Sequence, residues 1–361
     1  MQVLIVGGGL AGACLAAALG QAGCTVTVIE RSQVASAASA VPLAVLQPVT
    51  GKRLSVESAH VAGMELTGRW LDHAGESIAR RWPLLRLALD EATAAEWHRR
   101  IPLLAQSASS LVQWCDAEAC RTQEPLSSAR VQGGVRIADA RIVRMPLLVQ
   151  HLLNLGRAAV VSGVDVTAVG EAEDAVWADC SDGVRRHAQA LWLCEGAAGR
   201  LIAEVARELQ YVGGELVELE SPQAPEFMAG SACHSVRIPL DWRTDVEADR
   251  RPAMQRVVLA ATYKPGMWPA RLRAEGVTQL LSEASESVPG LLDGARVVSG
   301  WSGVRPVLRR MHPWVGAAPG FSGRVRLLTG LGSRGLLLGP MLAESEARWA
   351  LEEGKKREPS R

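Results

Sequence analysis

The sequence lacks the marks of a metal protein, of a disulfide-rich secreted protein and of a membrane protein. Its seven cysteines are an odd number without a CxxC pair, and none of its seven histidines has metal-ligand spacing. No run reaches the length of a membrane span without a charged or turn residue. The apolar start of the chain has no Lys or Arg before Arg31, unlike a signal peptide. We therefore expect free thiols, no metal site and a cytoplasmic protein that needs no membrane.

The sequence also has almost no net charge and few tyrosines or phenylalanines. The formal net charge is only +1, which gives no reason to expect a nucleic acid as an obligatory partner. Two tyrosines and two phenylalanines stand against eleven tryptophans. With 361 residues, of which 48% are hydrophobic, the chain is too long for one simple core, so we expect two compact units.

Hydrophobic periodicity predicts strands and helices that alternate at both ends of the chain around a β-rich middle. A β–turn–α–β unit opens the chain, residues 55–120 are expected to be mostly helical, and Met145–Leu155 forms a further helix. The other expected elements are short strands over 159–194 and 210–265, a helix over 270–290, a last strand over 325–330 and a last helix over 336–353. This order predicts a nucleotide-binding domain that is split in sequence around a second domain.

A glycine-rich loop follows the first strand and opens the first helix. Gly7-Gly8-Gly9-Leu10-Ala11-Gly12 fits the pattern G-x-G-x-x-G, and Glu30 ends the next strand. Gly7 permits a tight turn, Gly9 lets the backbone approach a pyrophosphate, and Gly12 lets helix and strand pack closely. The positive end of the helix dipole favours the same pyrophosphate, and Glu30 would accept hydrogen bonds from ribose hydroxyls. The unit therefore predicts a dinucleotide site, without choosing between NAD and FAD.

The residues after Glu30 favour the longer dinucleotide. Arg31 is followed by a loop of small residues, in which Ser36 and Ser39 place hydroxyls just past the ribose site. Together with LWLCEGAAGRL at 191–201 and TGLGSRGLLLGPMLAE at 329–344, this segment resembles the D-amino-acid-oxidase (DAO) class of FAD proteins. That class includes glycine oxidase, sarcosine oxidase and the oxidase domain of the bifunctional tRNA carboxymethylaminomethyl-uridine modifying protein, which GSRGL resembles most.

The resemblance implies an α/β fold with a Rossmann-like, glutathione-reductase-like FAD-binding domain and a second β-rich α+β substrate domain. The implied boundaries are 1–85, 140–208 and 300–353 for the FAD-binding domain, 86–139 and 209–299 for the substrate domain, and 354–361 for a frayed tail. FAD is expected to be bound non-covalently, because no cysteine follows Cys233 to form a link near the end of the chain.

The resemblance also assigns individual residues to the cofactor. Leu46 and Gln47 would approach the flavin ring, Val166 would meet the adenine through its backbone, and Gly196 belongs to a turn that closes over the cofactor. Cys194-Glu195-Gly196 departs from the usual Ala-x-Gly, so Glu195 has no assigned role.

The second glycine loop is expected at the flavin ring. Backbone N–H groups at the start of the last helix would stabilise negative charge on the reduced ring, and the glycines would allow close approach. Arg334 adds a positive charge there or faces solvent or a phosphate instead. The expected contacts are Gly332, Ser333, Arg334, Gly335 and Leu336.

A third segment, GWSGVRPVLRRMHPWVG at 300–316, resembles the W-x-G-x-R-P segment whose arginine grips a substrate carboxylate. Arg305 is that arginine here, and a guanidinium suits the task because it binds a carboxylate through two parallel hydrogen bonds. The alternative is a core arginine paired with an acidic residue.

Tyr263 is either a pocket residue or a core tyrosine. Arg309-Arg310-Met311-His312, a departure from the class, is either a second anion site or a solvated basic turn.

These features imply an FAD-dependent oxidoreductase that oxidises the C–N bond of an amino acid or of an N-substituted glycine-type secondary amine. A hydride would pass to flavin N5 and the imine would be hydrolysed, with oxygen or an electron carrier as the final acceptor. A carboxymethylaminomethyl-uridine in tRNA is a less favoured substrate, because no methyltransferase domain is attached and the net charge is +1. A flavin-binding protein without catalysis is a further alternative.

Overall fold

A computed structural model describes residues 1–51, 54–104, 111–243, 254–310 and 312–357. The helices are α1 (Leu10–Gln21), α2 (Ser58–Ala74), α3 (Glu91–Arg100), α4 (Ala117–Gln123), α5 (Met145–Leu155), α6 (Ala203–Glu208), α7 (Ala274–Ser287) and α8 (Gly335–Arg357). The strands up to residue 193 are β1 (Gln2–Val6), β2 (Thr25–Glu30), β3 (Ala44–Leu46), β4 (Ala79–Arg81), β5 (Leu84–Ala88), β6 (Val112–Asp116), β7 (Gly133–Ile137), β8 (Arg141–Val143), β9 (Ala159–Ser162), β10 (Val166–Glu171), β11 (Val176–Cys180), β12 (Arg185–Ala188) and β13 (Ala190–Leu193). The later strands are β14 (Leu209–Ser221), β15 (Met228–Gly230), β16 (His234–Arg237), β17 (Gln255–Ala260), β18 (Lys264–Pro265), β19 (Arg296–Leu308), β20 (Trp314–Ala317) and β21 (Val325–Thr329).

Both ends of the chain contribute to one six-stranded sheet, in the order β20-β21-β13-β1-β2-β9. All neighbours are parallel except β20 and β21. Such strands are buried on both faces and read as continuous apolar runs, as Gln2–Val6 does. Val3 and Ile5 pack with helices α1, α5 and α8 on one face, and Leu4 and Val6 pack against the small sheet β10-β11-β12 on the other.

The β-rich middle forms a second sheet of nine strands, in the order β18-β14-β17-β16-β15-β5-β7-β6, with β19 also paired to β14. Helix α7 covers one face, where Leu280 and Ala284 pack against Val217 and Leu259. The long strand pair of β14 and β19 carries Arg305. This sheet therefore positions the predicted substrate residue, while the first sheet positions both glycine loops.

The expected α/β fold with a second β-rich unit is confirmed, whereas two secondary-structure predictions were wrong. Residues 55–120 contain the strands β4, β5 and β6 as well as helices. The reason is burial: every residue of β5, LLRLA, is buried, and a short apolar run of that kind fits a strand or a helix equally well. The last helix continues to Arg357 instead of ending at 353.

The proposed domain boundaries stay a prediction. All seven cysteines lie among the described residues, and none forms a disulfide. Across the described ranges, no helix combines the length and the apolar character that crossing a membrane requires.

Candidate functional site

A cavity of about 770 Å³ lies where the two glycine loops meet the β14–β19 pair. Most of the predicted site residues line it, although they come from segments far apart in sequence. The predicted residues that it brings together are Gly7, Gly9, Leu10, Ala11, Glu30, Arg31, Ser36, Ser39, Val166, Gly196, Arg305, Gly332, Ser333, Gly335 and Leu336. Gly12, Leu46, Gln47, Tyr263 and Arg334 do not line it.

The first glycine loop is too closely packed for side chains at two positions. Gly7 has φ +110, and a Cβ there would lie 2.9 Å from the carbonyl carbon of Cys194. A Cβ on Gly12 would overlap the carbonyl oxygen of Gly7 and would lie 3.3 Å from Ile5 on β1. Gly9 is the N-cap of α1 and supplies no capping side chain. Gly9 therefore puts no side chain over the start of α1 at the cavity wall, which leaves space for a pyrophosphate.

Glu30 is held rigidly at the cavity wall. Its Oε2 accepts a hydrogen bond from Gly8 N at 2.7 Å, and its Oε1 accepts one from Ser32 N at 2.9 Å. Each carboxylate oxygen can accept a further hydrogen bond, so the residue remains able to bind ribose hydroxyls. Ser39 Oγ accepts a hydrogen bond from Leu10 N at 2.9 Å, which ties the small-residue loop to the start of α1.

Glu195, which sequence reasoning left unexplained, closes the turn that follows β13. Its Oε1 accepts a hydrogen bond from Arg200 N at 3.3 Å, and the side chain lines the cavity. Burial raises the pKa of Glu195 despite this hydrogen bond. Arg200 also donates to Asp165 Oδ2 at 2.7 Å and to Val166 O at 3.4 Å. The turn and the strand that carries Val166 are therefore fixed to one another at the far end of the cavity.

The second glycine loop is shaped by two residues with positive φ. Gly330 has φ +76 and Gly332 has φ +58, and a short 3-10 turn over Gly332–Arg334 leads directly into α8. The start of α8 is anchored from behind, because Thr67 Oγ1 donates to Leu336 O at 2.7 Å. A second helix N-terminus thus lies at the cavity, and like the first it is reached by a glycine-rich loop.

Two sets of predicted cofactor contacts lie elsewhere. Leu46 is buried in the core of the first sheet, and Gln47 Oε1 accepts from Val49 N at 2.9 Å. Their chain neighbours Ala44 and Val45 line the cavity instead. Arg334 lines a separate cavity of about 190 Å³ that also contains His60 and His312. The assigned contacts of Leu46, Gln47 and Arg334 with the flavin stay predictions.

Arg305 lies against the cavity with its guanidinium over β14. Nη1 donates to Gly213 O and to Thr262 O, both at 3.4 Å, and Gly214 leaves room for the group. No carboxylate in the described part of the chain forms an ion pair with Arg305. Burial lowers the pKa of Arg305, yet an arginine stays charged at neutral pH. The alternative of a core arginine with an acidic partner has no support from these residues.

Tyr263 is 55% exposed, so its place in a pocket stays a prediction. Trp268 and Trp301 line the cavity, and the Trp268 ring lies 4.9 Å from the Tyr211 ring.

His234 also lines the cavity, but sequence reasoning missed it because nothing in its local pattern differs from that of a core histidine. Met311, within the basic segment 309–312, lies outside the described residues.

The fit of these residues to FAD can be judged from the shape of the site. Two glycine-rich helix starts lie at one cavity, Glu30 presents fixed acceptor oxygens, and the cavity extends from Val166 to Arg305. A pyrophosphate and a flavin ring would each use one of the helix starts, and a ribose would use the acceptor oxygens of Glu30. The residues present therefore fit a long dinucleotide.

Comparison with known proteins agrees with this geometry. The FAD dependent oxidoreductase (DAO) family matches residues 2–349. Glycine oxidase of Bacillus licheniformis is 23% identical over 96% of this chain and 92% of its own length. The bifunctional protein MnmC of Maricaulis maris, named for tRNA 5-methylaminomethyl-2-thiouridine biosynthesis, is 28% identical over 96% of this chain, which spans 51% of that protein. The crystal structure of glycine oxidase from Bacillus cereus superimposes with a TM-score of 0.80, at 21% identity, over 98% of this chain and 95% of its own.

Proposed function

The chain belongs to the FAD dependent oxidoreductase family, and on that premise we propose that it oxidises the C–N bond of a small amine that carries a carboxylate. Family membership makes it an FAD-dependent enzyme, which excludes the alternative of a protein that only binds flavin. The proposed substrates are a free amino acid or an N-substituted glycine. The observation that carries this proposal is Arg305, a half-buried cation at the cavity without a carboxylate partner in the described ranges.

The work of the chain in this reaction is to bind and orient the substrate. Arg305 would hold the carboxylate through two parallel hydrogen bonds, which fixes the neighbouring carbon in the cavity. Trp301, Leu216 and Ala260 line the cavity beside it and present apolar surface, which keeps water from the reacting carbon. Bound FAD supplies the two-electron oxidation, in which a hydride leaves the carbon beside the nitrogen.

The rest of the reaction needs no further catalytic group from the protein. The amine enters neutral and loses its N–H proton as the C=N bond forms. Water then adds to the imine, and the adduct collapses to a carbonyl compound and an amine or ammonia. Oxygen or an electron carrier takes the two electrons in the second half of the cycle.

The helix starts at the two glycine loops have separate tasks in this proposal. Gly9, Leu10 and Ala11 would bind the pyrophosphate, and Glu30 the ribose. Gly332, Gly335 and Leu336 would hold the flavin ring, where backbone N–H groups stabilise the negative charge that reduction creates. These separate tasks would explain why one chain carries two glycine loops at opposite ends.

A carboxymethylamino group on tRNA is the second candidate substrate. The similarity to the Maricaulis maris protein favours it, and such a group would offer Arg305 the same carboxylate. The two candidates differ only in the amine that is released, which is small in one case and a nucleoside of tRNA in the other.

The experiment that separates these candidates is anaerobic reduction of the bound flavin. N-methylglycine, glycine, D-amino acids and tRNA with the carboxymethylaminomethyl modification are each mixed with the protein under nitrogen, and the loss of flavin absorbance is followed. Rapid bleaching by a small carboxylated amine supports the first candidate, and bleaching by the tRNA alone supports the second. A flavin that no carboxylated amine reduces would contradict the proposed function.

A further inference from the structure

The cavity-facing side of the second sheet carries a row of directly paired residues that crosses six strands, here named the Arg86 row. The strand registers pair Arg86 with Gly230, His234 with Ala260, Ala260 with Leu216, and Leu216 with Trp301. Gly230 adjoins His234, because a Cβ on it would lie 3.2 Å from the His234 Cα. Paired residues point to the same face of a sheet. The row members that line the cavity are His234, Ala260, Leu216 and Trp301.

Arg86 is a buried cation with no acidic partner in the described part of the chain. It is 8% exposed, and no carboxylate among the residues that the structure describes forms an ion pair with it. Nη1 donates to Gly51 O at 3.1 Å, the guanidinium lies 5.3 Å from the centre of the Trp97 ring, and Nε has no hydrogen-bond partner there. Burial lowers the pKa of Arg86 to about 10, so the group remains charged at neutral pH. A buried charge in this state is costly unless an anion accompanies it.

His234 stands between this cation and the cavity. Gly230 has no side chain, so nothing from β15 separates Arg86 from His234 along the row. The Nδ1 atom of His234 is buried and has no hydrogen-bond partner within the described ranges. Burial and the charge of Arg86 lower the pKa of His234 to about 3, so the imidazole is neutral. A neutral imidazole can donate one hydrogen bond, and the arginine behind it supplies the charge.

We propose that His234 and Arg86 recognise a second anionic group on the substrate, opposite the carboxylate held by Arg305. The inference rests on the proposed function, because it extends the same cavity. It assigns the substrate class as an amine with two acidic arms, in which His234 contacts the second carboxylate and Arg86 balances its charge.

The spacing of the strands suits such a substrate. The Arg305 guanidinium lies over Gly214 on β14, and His234 is on β16, two strands away. Two strand spacings of roughly 5 Å each, combined with the two-residue offset of roughly 7 Å between Gly214 and the row member Leu216 on β14, separate the two backbone positions by roughly 12 Å. The carboxylate carbons of an extended N-(carboxymethyl)glycine are roughly 5 Å apart, and a hydrogen bond of roughly 3 Å at each end brings the total to a similar length.

The test uses two unreactive ethers that differ only in the second carboxylate, oxydiacetate and methoxyacetate. Their Kd values are measured on the full-length FAD-loaded protein from the change in flavin absorbance. Wild type should bind oxydiacetate about 10- to 100-fold more tightly than methoxyacetate, as expected for one charge-assisted hydrogen bond. Arg86→Gln should lose most of this preference, and Arg86→Lys should keep part of it. Equal affinity of wild type for both ethers, or an unchanged preference in Arg86→Gln, would overturn the proposal.

Two further variants guard against indirect effects. Arg256→Gln removes another buried arginine of the same sheet, one that is paired with Glu218 and Glu220 and does not line the cavity, so its preference should equal that of wild type. If Arg86→Gln fails to retain FAD, His234→Asn answers the same question. A preference that survives in His234→Asn overturns the proposal, and its loss supports it.

The ether measurement is independent of turnover, so the two proposals can fail separately. If no amine reduces the flavin but the oxydiacetate preference depends on Arg86, the second anion site stands and the proposed reaction falls. If N-methylglycine reduces the flavin but the two ethers bind equally well in every variant, the reaction stands and the second anion site falls.

Discussion

The guanidinium of Arg305 lies directly over Gly214, so closely that a Cβ on this glycine would be 2.6 Å from Cζ of the arginine. Gly214 is paired with Gly303 across the β14–β19 pair, and both strands line the cavity. The position of Arg305 therefore depends on the lack of a side chain one strand away. Space for the arginine is as much a part of the proposed carboxylate site as the arginine itself.

Gly214→Ala is expected to displace Arg305 without removing it. Because a methyl group in so tight a place costs about 1–3 kcal/mol, kcat/KM for a carboxylated amine should fall roughly 5- to 150-fold. Steady-state kinetics with the FAD content measured in parallel checks this. Gly290→Ala is the matched control, since a Cβ there would meet only side-chain atoms at 3.3 Å or more and should change little. A wild-type kcat/KM in Gly214→Ala would show that the reaction does not depend on the position of Arg305 over Gly214.

The purified protein is expected to be yellow and to carry FAD without a covalent link. The two glycine loops and Glu30 provide only non-covalent contacts at the cavity. Acid precipitation should release the flavin, and chromatography of the supernatant should identify it as FAD. FMN in the supernatant, or flavin left in the pellet, would contradict the account.

Glu30→Arg should weaken the binding of FAD while the fold persists. The variant loses a carboxylate that accepts from Gly8 N and Ser32 N and faces the ribose site. Hydrogen bonds to a charged group contribute about 1.5–3 kcal/mol, which corresponds to roughly a 10- to 150-fold rise in the Kd of the apoprotein for FAD. Titration with FAD, followed by flavin fluorescence, measures this. Glu30→Gln keeps one acceptor oxygen and should lie between the two, whereas a wild-type Kd in Glu30→Arg would place the ribose elsewhere.

The parts of the site that could be predicted from the sequence are those whose geometry is local. Gly7, Gly12 and Glu30 lie within one β–turn–α–β unit, so their spacing alone predicts a tight loop with an acceptor beside it. The tight contacts at Gly7 and Gly12 confirm that loop. Arg305 was predicted from its resemblance to W-x-G-x-R-P, and the structure places it at the cavity.

Other parts of the site depend on long-range strand register, which no local pattern contains. Arg86 and His234 share a row only because β15 joins β5 in parallel and β16 in antiparallel pairing. The segment that contains β5 was expected to be mostly helical, so the sequence could not predict that Arg86 and His234 lie in one row. Glu195 likewise departs from the family pattern, and its role in the turn becomes visible only when its hydrogen bond to Arg200 N is known.

The claim that Arg305 binds the carboxylate of an amine substrate is tested most directly by comparing kcat/KM for a carboxylated amine and for its decarboxylated analogue in wild type and in Arg305→Ala. For the carboxylated amine, the variant should lose about 3–5 kcal/mol of transition-state stabilisation, or roughly two to four orders of magnitude, with FAD retained. Arg305→Lys should restore little, because an ammonium cannot make the two-pronged contact. The decarboxylated analogue should react almost equally well with both proteins. An equal loss for the two amines would contradict the account.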